Sequence, residues 1–253
     1  MRITRTIAET RAALPDGQVG LVPTMGAYHA GHLSLFAAAR EENDFVVASL
    51  FVNPAQFGSP ADLARYPRDE TADAAIAQEA GVDVLFAPAV EELYPPGYET
   101  WVDVEQASHG LEGAHRPGHF RGVATICLKL FNIVRPRRAY FGQKDAQQVE
   151  VVRRMLRDLN LDLELRVLPT VRDADGLALS SRNALLSPSQ REAALALPRA
   201  LATRDPAAAR RLLGDLDVDY VEIAPFDPPV LAAAVRVGAV RLIDNVPLEG
   251  GPA

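Results

Sequence analysis

Two histidines, His29 and His32, stand three residues apart in the stretch PTMGAYHAGH, with Gly31 between them. The apolar run VGLVP (19–23) stops at Pro23, a turn holds Gly26, and a helical period opens near His32. Unpaired N–H groups and the positive end of the macrodipole at such a helix mouth favour a phosphate. Two imidazoles converging there add hydrogen-bond donors, and Gly31 lets a ligand approach the backbone closely. Ordinary surface histidines would look the same in isolation. Zinc is a poorer reading, because it needs further His or Cys ligands and the one cysteine, Cys127, lies in the apolar run GVATICLKLFNIV.

Four further constellations carry polar chemistry. SLFVNPAQFG brings Asn53 and Gln56 to the carboxyl end of a strand, where neutral amides suit the hydroxyl or carboxylate of a small hydroxy acid. An Asn-Pro turn is the plain alternative. EGAHRPGHFRG packs His115, Arg116, His119 and Arg121 into seven residues before an apolar helix, a basic cluster that attracts anions or is simply solvated. AYFGQKDAQQ places Lys144 and Asp145 at a turn that opens a helix. A lysine there opposes the helix dipole. A bound triphosphate would justify it, since an ammonium stabilises charge on phosphates during transfer. RDADGLALSSRN sets Ser180, Ser181 and Arg182 after an Asp-Gly turn, two hydroxyls and a guanidinium suited to phosphate oxygens or, more plainly, to a helix cap.

These groups need a frame to hold them. Short apolar runs alternate with helix-period segments: VGLVP, LSLFAAAREE, DFVVASLFV, ADAAIAQEAG, VDVLFAP, a helix over 123–134, RAYFG, a helix over 143–160 and LDLELRVLPT. That alternation predicts an α/β fold, a Rossmann-like doubly wound and mostly parallel sheet covered on both faces. Ligands then collect at the carboxyl ends of the strands. After about Thr170 the pattern becomes turn-rich, then helical to Leu213, then three closely spaced strands, VDYVEIAP, VLAAAVRVG and AVRLIDNVP. This predicts two domains, 1–170 and a small α+β C-terminal domain over 171–253 with an antiparallel sheet. The terminal GGPA is expected to be loose.

With 253 residues the chain can bury a substantial core, and a formal net charge of −7 with pI near 5.3 argues against nucleic-acid binding. Cys127 reads as a buried thiol in a reducing compartment rather than a nucleophile. MRITRTIAET lacks the apolar region of a signal peptide, and no run approaches the roughly 20 apolar residues of a membrane span. The expectation is a soluble cytoplasmic protein with no membrane or nucleic-acid partner.

His29-Ala30-Gly31-His32 resembles the His-x-Gly-His signature of the nucleotidyltransferase superfamily, and the fuller Pro23-Thr24-Met25-Gly26-x-x-His29-x-Gly31-His32 is similar to the pantoate–β-alanine ligase family. The other motifs above match that family through Asn183, and VDYVEIAP and VRLIDNVP resemble its C-terminal domain. The resemblance implies ATP-dependent joining of pantoate to β-alanine through an acyl adenylate, with magnesium, in a cytoplasmic homodimer. It assigns His29, His32, Lys144, Ser180, Ser181 and Arg182 to the phosphates and catalysis. Further ATP contacts fall on Pro23, Thr24, Met25, Gly31, Gly142, Asp145, Val171 and Leu179. Pantoate falls on Asn53, Gln56, Gln148, Arg116 and Tyr66, and Asp73 lies near the magnesium. Two departures stand out: Tyr28 replaces a usual leucine, and the helical region over about 187–217 is shorter than the family's. Another nucleotidyltransferase, or a nucleotide-binding module without turnover, are the competing readings.

Overall fold

Continuous apolar runs mark the strands that carry the first set of motifs, as expected of a sheet covered on both faces. In the computed structural model, which describes residues 1–248, two compact units are resolved. The first comprises Met1–Phe141 and Val151–Leu168. In chain order this part of the sequence runs β1 (Arg2–Thr4), α1 (Ile7–Ala13), β2 (Val19–Thr24), α2 (Ala30–Glu42), β3 (Phe45–Leu50), a 3-10 turn (Pro54–Gln56), α3 (Pro60–Arg65), α4 (Glu70–Glu79), β4 (Val84–Phe86), α5 (Val90–Leu93), α6 (Leu111–His115), α7 (His119–Val134), β5 (Arg138–Gly142) and, after α8 (Ala146–Asp158), β6 (Glu164–Leu168).

The strand order is β1-β4-β3-β2-β5-β6, and the pairs β1–β4, β4–β3, β3–β2 and β2–β5 are parallel. Strands are added on one side of β2 up to β4 and on the other side from β5 onward, so the topological switch point lies between β2 and β5. Open α/β sheets bind ligands at the carboxyl end of such a point. Residues 25–29 leave β2 there. Beneath them Val22, Phe36, Ala39, Val46, Ala48, Leu85 and Tyr140 form one buried cluster that fixes α2 on the sheet.

The expected strands and α2 are present. β1 and α1 were not foreseen, although α1 carries a reciprocal cap between Thr6 and Glu9. α7 begins at His119, a turn before the predicted 123, because His119, Phe120 and Gly122 are buried with the rest of the helix. The predicted 143–160 helix is instead a 3-10 turn, Gln143–Asp145, followed by α8.

The second unit takes in Gly142–Glu150 and the chain from Pro169 onward. It holds α9 (Pro188–Ala194), α10 (Ala196–Leu201) and α11 (Pro206–Leu213), then β7 (Asp217–Ala224), β8 (Val230–Val237) and β9 (Val240–Pro247) in an antiparallel sheet ordered β7-β8-β9. Leu197, Leu201, Leu213, Val221, Leu231, Val235 and Leu242 pack helices and sheet together. Residues 142–150 join this unit, against the expected division at 170/171, because their turn is hydrogen-bonded to β9. The GGPA terminus lies outside the described residues. Among the described residues no helix is long and apolar enough to cross a membrane.

Candidate active site

The mouth of α2 is built from backbone strain and its relief. After Thr24 the chain turns through Gly26 at φ +85° and Ala27 at φ +54°, the second a left-handed conformation that a Cβ disfavours. Asp73, on α4 and only 4 % exposed, holds this turn: its two carboxylate oxygens accept the N–H groups of Ala27 and Tyr28, each at 2.9 Å. A side chain at position 26 would meet Asp73 Oδ2 at 2.6 Å, so glycine is needed there for space as well as for conformation. Tyr28 packs edge-on to Phe36, and burial pushes its hydroxyl well above the usual tyrosine range.

His29 is the N-cap of α2, and the two histidines cap each other's backbone. Gly31 N–H donates to His29 Nδ1 at 3.1 Å, and His29 N–H donates to His32 Nδ1 at 3.3 Å. A nitrogen that accepts an N–H carries no proton, so each neutral ring bears its proton on Nε2. The two rings lie with their centroids 4.3 Å apart. Gly31 also has a steric reason to be glycine: a Cβ there would lie 2.9 Å from His29 Cε1 and 3.0 Å from Nδ1.

A second polar cluster of the same unit surrounds the 3-10 turn after β3. Asn53, 1 % exposed, donates through Nδ2 to Gln56 Oε1 at 3.0 Å and to the Gly122 carbonyl at 3.1 Å, while Oδ1 accepts from Tyr94 at 3.0 Å. Asn53 thus holds Gln56 by its oxygen and turns the Gln56 amide nitrogen outward from that bond. His119 Nδ1 lies 2.9 Å from the Gln56 carbonyl, and its Nε2 lies 3.1 Å from Arg116 Nη1. Arg116 also pairs with the buried Glu112 at 3.7 Å. Tyr66 stacks edge-on to Phe57, the residue that ends the 54–56 turn. Gln56, Arg116 and Tyr66 are thereby tied to one small segment.

In the second unit, Lys144, Ser180, Arg182, Asn183 and Arg241 line one cleft. Lys144 sits on the 3-10 turn before α8, 3.8 Å from Asp145, with Gln148 one turn further on. Val171 and Leu179 face each other across a hairpin closed at Gly176, with Leu179 N–H donating to the Val171 carbonyl at 3.0 Å. The hairpin delivers Ser180, whose hydroxyl caps the following 3-10 turn by accepting Arg182 N–H at 3.3 Å. Ser181 is not among the residues lining the cleft.

The structure adds three features to the sequence reading. Each Asp73 oxygen accepts a backbone N–H, which places the side chain under the histidine loop. Among the described residues no group of three or more His, Cys, Asp or Glu is placed to hold a metal ion. Asn53 is a buried support for Gln56. His119 links Gln56 to Arg116, a role its place in the basic cluster did not single out. The signal was present in its position, a histidine opening an otherwise apolar helix.

A mostly parallel α/β sheet with paired histidines at the start of the helix after its switch-point strand defines a Rossmann-like α/β protein. The family described as Pantoate-beta-alanine ligase matches residues 2–247, and the chain belongs to that family. It is 52 % identical over 280 aligned positions to the pantothenate synthetase of Moorella thermoacetica, covering 98 % of this chain and 99 % of the relative. That alignment is longer than the chain of 253 residues, so the relative has segments that this chain lacks. A crystal structure of pantothenate synthetase from Thermus thermophilus superposes with a TM-score of 0.94 at 49 % identity, covering 98 % of this chain and 99 % of that one. The Francisella tularensis pantoate-beta-alanine ligase, solved with beta-gamma ATP and β-alanine, gives 0.88 at 35 % identity over the whole of both chains.

Proposed function

We propose that this chain joins pantoate to β-alanine using ATP, by way of an acyl adenylate. A carboxylate is a poor electrophile toward an amine, and activation by ATP removes that obstacle. A pantoate carboxylate oxygen attacks the α-phosphorus, the α–β phosphoanhydride breaks, and pyrophosphate leaves. The β-alanine amine, having lost its extra proton, then attacks the acyl carbon, the C–N bond forms, and AMP leaves. No enzyme nucleophile is required. The protein supplies position and electrostatics.

The observation that carries the reading is the histidine pair, each ring accepting a backbone N–H through Nδ1 at a helix mouth on the switch point of the sheet. The reading assigns to the ATP phosphates His29 and His32 from the first unit, and Lys144, Ser180, Ser181 and Arg182 from the second. Pro23, Thr24, Met25, Gly31, Gly142, Asp145, Val171 and Leu179 complete the nucleotide contacts. Gln56, Gln148, Arg116 and Tyr66 take pantoate, with Asn53 behind Gln56. Magnesium enters as MgATP, the substrate. A cytoplasmic homodimer completes the proposal on the strength of the family.

Product analysis tests it. Purified protein incubated with MgATP, pantoate and β-alanine is expected to give AMP, pyrophosphate and pantothenate in equal amounts, with pyrophosphate release dependent on pantoate. ATP binding without AMP under any combination would overturn the assignment in favour of a module that binds nucleotide without turnover.

A further inference from the structure

We infer that Asn245, near the end of β9, is a positioning residue that sets the direction of Lys144. The inference rests on the function proposed above, in which Lys144 meets the phosphates. Asn245 is 3 % exposed, and its Nδ2 donates at 2.9 Å to both the Gln143 and the Lys144 carbonyls. Its Oδ1 accepts from Gln143 Nε2 at 3.2 Å, which fixes which end of the amide faces the turn.

The geometry of those two carbonyls is what matters. Each belongs to a planar peptide unit, and the two units are the ones on either side of the Lys144 Cα. Holding both planes fixes φ and ψ of Lys144 and hence the direction of its Cα–Cβ bond. One side chain, 101 residues distant in sequence from Lys144, therefore aims that lysine. The turn is three residues long, and its N-cap is Gly142, a residue with no side chain to cap it.

The same strand end holds the other wall of the cleft. Asp244, 2 % exposed, binds Arg172 through both oxygens at 2.7 and 3.0 Å, and its Oδ1 also accepts Asn245 N–H at 2.8 Å. Arg172 lies in the hairpin that ends at Ser180, and it donates to the Gly176 carbonyl within that hairpin at 3.2 Å. Two consecutive residues of β9 thus secure the Lys144 turn and the Ser180–Arg182 turn, both of which contribute to the cleft.

The test is Asn245→Asp, which keeps the shape and removes the two donors. Pantoate-dependent AMP formation is expected to fall about 100-fold in kcat, the loss that a misplacement of about 1 Å brings. The KM for pantoate is expected to stay within about twofold, and backbone hydrogen exchange of the 140–148 segment to accelerate in the ligand-free protein. In a Lys144→Gln background, with residual turnover followed over hours, the same substitution is expected to cost less than about threefold, because coupled residues are not additive. Additive losses, or an unchanged kcat in Asn245→Asp, would overturn the role. Should Asn245→Asp lose its cooperative melting transition, Asn245→Ala takes its place, and failure of both to fold makes Asn245 a folding element and overturns the inference. A parent protein that forms no AMP overturns the proposed function; unchanged exchange at 140–148 in an active parent overturns the inference alone.

Discussion

Asp73→Asn separates a carboxylate that supports a loop from one that would serve a metal. The substitution keeps the side chain's shape but turns one of two acceptors into an amide nitrogen, which faces the N–H of Ala27 or Tyr28. A hydrogen bond to a charged group contributes about 1.5–3 kcal/mol, and here one such bond is lost while a buried donor is left facing another donor. Relief from burying a charge offsets part of this, so a net loss of about 2–3 kcal/mol is expected. For a chain of this size that lowers the melting midpoint by about 4–12 °C. Ala27, already left-handed at φ +54°, relaxes first and carries His29 with it. Turnover should therefore fall by about 10- to 100-fold, the range that small displacements of a reacting group produce. Circular dichroism melting and a pyrophosphate-release assay across a magnesium titration would be run side by side. A melting midpoint within about 1 °C of the parent, together with a raised magnesium requirement, would refute the loop-support argument and return Asp73 to the metal.

Two further outcomes follow from the same geometry. His29→Asn replaces one helix cap by another of the preferred kind, so stability should stay within about 0.5 kcal/mol, whereas His29→Ala loses about 1 kcal/mol; both should cut pantoate-dependent pyrophosphate release by at least tenfold, and an Asn variant with parental rate would reduce His29 to a cap. Burial pushes the Cys127 thiol up to about 12. Its unfolded value is about 8.5, so the stability it contributes is fully present below that pH and falls by about 1.4 kcal/mol per unit as pH rises toward the folded value. Chemical denaturation between pH 8 and 10 should show this slope in the parent and not in Cys127→Ala, and a thiol reagent should label the protein only as it unfolds. Rapid labelling of the native protein would contradict the burial.

Much of the frame could be read from residue patterns, because a strand covered on both faces has to be a short apolar run and a helix on its surface has to repeat every three to four residues. VGLVP and LSLFAAAREE obey those rules, and β2 and α2 lie where they predict. β1 lacks a readable pattern because RIT is three residues long and two of the three are polar. The signals that failed were of another kind. A mutual histidine cap does not match the Ser/Thr-x-x-Glu pattern by which a capping box is recognised, although its spacing of three is the same. Asp73 supports a turn 45 residues away, and Asn245 holds one 101 residues away. No local pattern encodes either partner. For the same reason residues 142–150 read as the start of an ordinary helix after β5, while their hydrogen bonds assign them to the second unit.

Helix cap and ligand contact are the competing explanations for Ser180, and His29 is also a helix cap; the two duties are compatible in one side chain. An imidazole that caps through Nδ1 must present its proton on Nε2, so the cap selects the tautomer that a phosphate needs. On the proposed function, structural duty prepares the chemical one. A related arrangement holds around Gln56: Asn53 donates to its side-chain oxygen and His119 Nδ1 meets its backbone carbonyl, which together orient the residue. A site built this way spends few residues on binding alone. Substitutions within it should therefore be judged by pairs of readouts, stability and turnover, since either measured alone would credit the residue with half of what it does.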